Sequence, residues 1–175
     1  EFISQEPCTT PNEVRNYYRR AGALACLLMF VNGSDLHNEN LIAHGPYPVL
    51  VDNEVLFDPV VYPVDISAEE QNFEILLRNY SRSVLMTGLL PHWKEIAGVA
   101  YDSSSLSAVG NQMLKRPNLK WSNIGQTNIT LEVERGAIIR VESKENEVIC
   151  QGQIQDIDTY LEDIIAGFEQ AFKLV

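Results

Sequence analysis

"NGSDLHNENLIAHGPYPVLVDNEVLFDP", Asn32 to Pro59, places Asp35, His37, Glu39, Asn40, Asp52 and Glu54 within twenty residues otherwise rich in Leu, Val and Ile. Burying an ionised side chain without a partner is costly. A chain that gathers acids and a histidine beside apolar strands must hold them at a surface for a reason. The stretch carries its own punctuation. Asn32-Gly33 reads as the end of a preceding helix. Leu41–Ala43 and Val49–Val51 read as short strands, with Gly45-Pro46-Tyr47-Pro48 as the turn of a hairpin. Such a hairpin folds the chain back, so Asn40 at its entry and Asp52 at its exit are expected to converge.

The preceding helix is well marked. Thr10 can cap it, Pro11 suits its first turn, and Glu13 completes a capping box. Val14, Tyr17, Tyr18, Ala21, Leu24, Ala25, Leu28 and Val31 then recur at helical spacing. Further on, Ser67 to Glu70 is a second capping box, opening a helix through Phe73, Ile75, Leu76 and Leu77. Val84 to Pro91 is apolar. Ala97 to Tyr101 reads as a strand and Ser103 to Lys120 as a polar loop. Leu131–Val133 and Ala137–Val141 read as strands around Glu134-Arg135-Gly136. From about Asp158, the set Tyr160, Leu161, Ile164, Ile165, Phe168, Ala171 and Phe172 predicts an amphipathic helix. The order implies an α+β class with helices dominant.

The 175 residues suffice for one domain and one core. The net charge is −11 and the 13 Lys and Arg are scattered, which speaks against nucleic acid as a partner. No apolar run reaches the roughly 18 residues of a membrane span, and the N-terminus has no signal-peptide pattern. Cys8, Cys26 and Cys150 form no CxxC and no even set, which argues against a disulfide framework or structural zinc and for a reducing cytoplasm. Cys26 belongs to the buried helix face. His44 reads as exposed. His92 and Trp93 could line a peptide groove, but an exposed His92 beside a packed Trp93 is the preferred reading.

Asp35 precedes Asn40 by five residues, and Asp52 follows it by twelve. Kinase-type phosphotransfer needs such an arrangement: an acid that positions or deprotonates the hydroxyl nucleophile, then an Asn and an Asp that hold Mg²⁺ against the ATP phosphates. Mg²⁺ prefers oxygen ligands. The imidazole of His37 therefore belongs nearer the transferred phosphate than the metal.

The DxHxxN pattern resembles the catalytic loop of lipid kinases, and "VLVDNE" stands where those kinases carry Asp-Phe-Gly. The longer stretch Asn32 to Phe57 resembles the signature of the dehydratase domain of class II lanthionine (lanthipeptide) synthetases, NGTDLHxENxIAxGxxPVLIDxETLF. Other blocks agree in order: "YYRRAGALACLL", "RSVLMTGLLP", "DSSSLSAVG", "PNLKWSNIGQTNI" and "YLEDIIAGFEQAF".

The resemblance implies a lipid-kinase-like fold. It implies phosphorylation of Ser or Thr in a ribosomal precursor peptide with ATP and Mg²⁺, then phosphate elimination. Residues 1–175 would form the larger, catalytic-loop lobe, mostly helical with short β-hairpins. Asp35 and His37 would be catalytic. Asn40 and Asp52 would bind the metal, with Glu54 beside them on the nucleotide side.

The partners implied are a precursor peptide with its leader, the other kinase lobe, and a zinc-dependent cyclase of the same polypeptide. The smaller lobe, the elimination segment and the cyclase are expected outside 1–175, so the isolated chain is expected to be inactive. There are departures. Met86 replaces the family's usual Arg, Asn128 an Asp, and Phe172 a Tyr. Two rivals remain open: a non-catalytic peptide-binding domain, and a kinase for small molecules or lipids.

Overall fold

A computed structural model describes residues 2–52, 56–57, 75, 79–96, 99–106, 112–115, 118–134, 138–141 and 145–175. Helix α1, Pro11–Phe30, begins as its sequence dictates. The Glu13 N–H donates to Thr10 Oγ1 at 3.3 Å, and the Glu13 carboxylate accepts from the Thr9 N–H at 2.7 Å. The first bond satisfies one of the orphan donors at the helix start, and hydrogen bonding to Thr9 holds the Glu13 carboxyl below its usual range. The helix closes with the Gly33 N–H on Leu28 O at 2.8 Å.

A second helix, α2, Leu161–Phe172, follows a short 3₁₀ turn capped by Asp156. It lies across α1. Both helices carry a glycine where they meet: a Cβ on Gly22 would collide with the Ile164 carbonyl, and one on Gly167 with that of Arg19. Contact this close brings backbone against backbone, which only glycine permits.

Every described strand pair is antiparallel and two-stranded. Strands β1, Leu41–His44, and β2, Tyr47–Leu50, form the expected hairpin in the register Leu41 to Leu50. Its turn is only Gly45-Pro46. Gly45 has φ +53°, the first-position geometry of the tight hairpin turn that suits glycine. Arg20 of α1 donates to the Pro46 carbonyl and covers the Tyr47 ring at 4.2 Å, tying the turn to the helix.

Strands β3, Trp93–Ile96, and β4, Val99–Asp102, form a second hairpin. The polar stretch Ser103 to Lys120, read as loop, contains β5, Gln112–Lys115, and the start of β6, Asn118–Ser122. Strands β7, Thr130–Glu134, and β8, Ile138–Val141, are where the sequence put them but do not pair with each other. Strand β6 pairs with β7, and β5 with β8, one pair nested in sequence inside the other. Strands β9, Ile149–Cys150, and β10, Gln153–Ile154, close the set. The capping box at Ser67 to Glu70 and Glu54 lie outside the described residues.

The core gathers around α1. Val14, Tyr17, Tyr18, Ala21, Ala25 and Leu28 face Leu36, Leu41, Ala43, Leu89, Leu106, Val148 and Ile164. Cys26 is fully buried, as its helical phase required. Leu36 and Leu41 bracket the acidic loop, so the loop is anchored in the core at both ends.

Candidate functional site

The chain can gather acids here because the loop buries its anchoring residues and leaves the acids outside. Ser34, Leu36 and Asn40 are buried, whereas Asp35, Glu39 and Asp52 are exposed. The apolar side chains fasten the loop and the acids stand in solvent, so no lone charge is buried. Asp35 has φ +55° and Asp52 φ +60°. The left-handed region is open mainly to Gly and, with modest strain, to Asp and Asn. Both acids thus sit at backbone reversals held by their surroundings.

Backbone bonds hold this loop from behind. The Leu36 N–H donates to Thr87 O at 3.0 Å and the Asn38 N–H to Ser103 O at 3.0 Å. The Ser105 hydroxyl donates to His37 O at 2.8 Å. Gly88, with φ +75°, lies so close to Leu36 that a Cβ would strike its backbone. Thr87 is buried, its hydroxyl donating to Val84 O at 2.6 Å, so it packs. Inside the loop, the Asn40 side-chain oxygen accepts from the His37 N–H at 2.9 Å, and the Asn40 N–H donates to His37 O at 2.9 Å. His37 Nδ1 accepts from the Glu39 N–H at 3.3 Å, which leaves Nε2 to carry the proton of the neutral ring.

The hairpin carries the other half. The Val51 N–H donates to Asn40 O at 2.9 Å, so the ladder runs one residue beyond the strands and Asp52 follows directly. In a regular strand, Asp52 would face away from the side chain opposite Asn40. Its left-handed backbone ends that alternation.

Asp35 borders a cavity of about 370 Å³. Met86 and Leu85 form part of its apolar wall, and His92, Ser103 and Ser104 supply polar groups. The buried Asp102 carboxylate holds two sides of this wall, accepting from the His92 N–H at 3.2 Å and the Ser104 N–H at 2.9 Å. The sequence reading misplaced this pair. His92 faces the cavity, and Trp93 is 57% exposed rather than packed. The signal available was the block structure: "RSVLMTGLLP" and "DSSSLSAVG" both end up against the Asp35 loop. His44 is also less bland than expected, as its Nδ1 lies 2.9 Å from Ser4 O and its Nε2 3.7 Å from Glu6.

Residues 1–175 match, end to end, a family described as "Domain of unknown function (DUF4135)"; the chain belongs to that family. It is also similar to a curated protein of Lactococcus lactis subsp. lactis, "Lacticin 481/lactococcin biosynthesis protein LcnDR2", at 26% identity over 186 residues. The match covers 100% of this chain and 18% of that relative. Both matches agree with the Asn32–Phe57 signature in making this a domain related to lanthionine synthetases. Among the described residues, no helix is long and apolar enough to cross a membrane.

Proposed function

We propose that this chain is the catalytic-loop lobe of an ATP-dependent dehydratase in lanthipeptide biosynthesis. It would act on Ser and Thr of a precursor peptide by phosphorylation and then phosphate elimination, in a lipid-kinase-like fold. The observation that carries the reading is the Asp35–Asp52 loop. Asp35 stands exposed at a cavity while a core-anchored hairpin sets Asp52 one residue past the Asn40–Val51 bond. The relative's name supports the biosynthetic setting.

The residues fit Mg²⁺. Asn40 offers an amide oxygen that accepts one hydrogen bond and keeps a second lone pair, and Asp52 offers an exposed carboxylate. Bound there, the ion would neutralise charge on the ATP phosphates.

The chain's own side chains do the rest. Asp35 orients the acceptor hydroxyl and takes its proton. His37, its Nδ1 occupied by the Glu39 N–H, presents Nε2–H as a donor to the phosphoryl group. Glu54 belongs beside Asp52 by sequence. The leader-bearing peptide, the second lobe and the cyclase are partners of the whole protein, and a reducing cytoplasm suits its three unpaired cysteines.

Mass analysis of a candidate peptide incubated with the whole protein and ATP tests this. Loss of water supports the dehydratase, gain of phosphate alone indicates a simple kinase, and no change indicates a binding domain. Asp52→Asn keeps the shape and removes the charge. It should lower phosphorylation by about 10²-fold, the scale of losing one preorganised electrostatic group. Normal phosphorylation by that variant would remove Asp52 from the metal site.

A further inference from the structure

The cavity beside Asp35 contains a group that the proposed chemistry does not use. Ser104 borders it, is only 4% exposed, and its hydroxyl has no hydrogen-bond partner among the described residues. Its neighbours are committed. The Ser105 hydroxyl is bound to His37 O, and the Ser104 N–H itself is bound to Asp102. Buried hydroxyls are almost always satisfied, and one left unmade destabilises the fold. An exception that borders a cavity leaves room for a partner from outside. Serine has three staggered χ1 positions, and the peptide N–H and C=O of a bound chain could satisfy either role of its hydroxyl.

The rest of the wall limits what that chain can be. None of the described residues lining the cavity is Lys or Arg, and Asp35 brings a carboxylate. Leu85 and Met86 add apolar surface.

We propose that Ser104 is a substrate-contacting residue. In this reading, its hydroxyl hydrogen-bonds the main chain of an acceptor peptide whose own hydroxyl reaches Asp35. This rests on the function proposed above and adds to it a binding residue.

Direct binding tests the proposal separately from turnover. The serine probe is N-acetylserine N-methylamide at millimolar concentration, with binding to the whole protein followed by ligand-detected NMR. It should bind. Ser104→Ala should weaken the serine probe by roughly three- to tenfold, the worth of one neutral hydrogen bond, and leave ATP affinity unchanged. Ser104→Cys, similar in size but a poor donor, should behave like the alanine variant. Because the hydroxyl has no internal partner, the melting temperature of Ser104→Ala should not fall.

No binding of the serine probe by the unaltered protein, equal binding by Ser104→Ala, or a lowered melting temperature would each overturn the proposal. Ser104-dependent binding in a protein that never modifies a peptide would uphold the contact while removing the dehydratase reading.

Discussion

Tyr17 and Tyr18 are neighbours on one helix, both buried, and their hydroxyls fare differently. The Tyr18 hydroxyl donates to Gln155 O at 3.1 Å, whereas the Tyr17 hydroxyl has no partner among the described residues. Burial pushes both phenols well above the ordinary range, so both are neutral at any relevant pH. Deleting a satisfied buried hydroxyl loses a bond of about 0.5–1.5 kcal/mol, while deleting an orphan removes a desolvation penalty. Tyr18→Phe should therefore lower stability by about 1 kcal/mol, and Tyr17→Phe should leave it unchanged or raise it. Urea unfolding of the two variants checks this, and equal losses would mean that Tyr17 has a partner after all. At this scale the sequence was partly readable. Spacing singled out Asp35, His37, Asn40 and Asp52, and side-chain bonds join His37, Glu39 and Asn40 within that loop. The sequence did not join Ser104 and His92 to Asp35, because the cavity they share is formed by segments far apart in sequence.

Among the elements, α1 and α2 were legible because the facts that define them are local: a cap and an apolar period in α1, and an apolar period in α2. Their contact was not. Gly22 and Gly167 look like ordinary helix-weakening glycines until the two helices are laid together. In an isolated helix, Gly→Ala would add stability. Here the added methyl meets a carbonyl oxygen of the other helix, so Gly167→Ala should destabilise by about 1–3 kcal/mol or more, as overpacking does. Thermal unfolding decides the sign, and a stabilised variant would refute the close crossing. The nested pairs β5–β8 and β6–β7 were hidden for a related reason. Each is two-stranded, and the described side chains of β6 and β7, including Trp121, Leu131 and Val133, stay largely exposed. A strand with no buried face need not alternate, so the polar run before Lys120 read as loop.

Across the whole molecule, the N-terminal segment ties distant parts together. Glu6 bridges to His44 and Cys8 to Cys150, both in parallel pairing. Cys8 is buried there, donating to Gly45 O at 3.2 Å, and burial pushes its thiol up from 9.0 to about 11, with smaller contributions from Glu13 and Cys150. The folded thiol thus holds its proton to higher pH than the unfolded one. Below about 9 both states are protonated and the site adds no pH dependence. Between 9.0 and about 11 the unfolded state ionises first, so stability should fall as pH rises through that window. Cys8→Ala should flatten part of the decline in a plot of melting temperature against pH. An unchanged slope would show that Cys8 is no more buried than a free thiol.

That N-terminal tie also bears on how the protein is made. The Gln5 side chain donates to Glu147 O at 2.7 Å across 142 positions of sequence, and α1 completes its packing only against α2. A ribosome adds about 5–20 residues per second. The first segment and the apolar face of α1 therefore emerge on the order of 10–30 s before the partners they need. During that wait a twenty-residue helix with an uncovered oily stripe is a natural client for a chaperone.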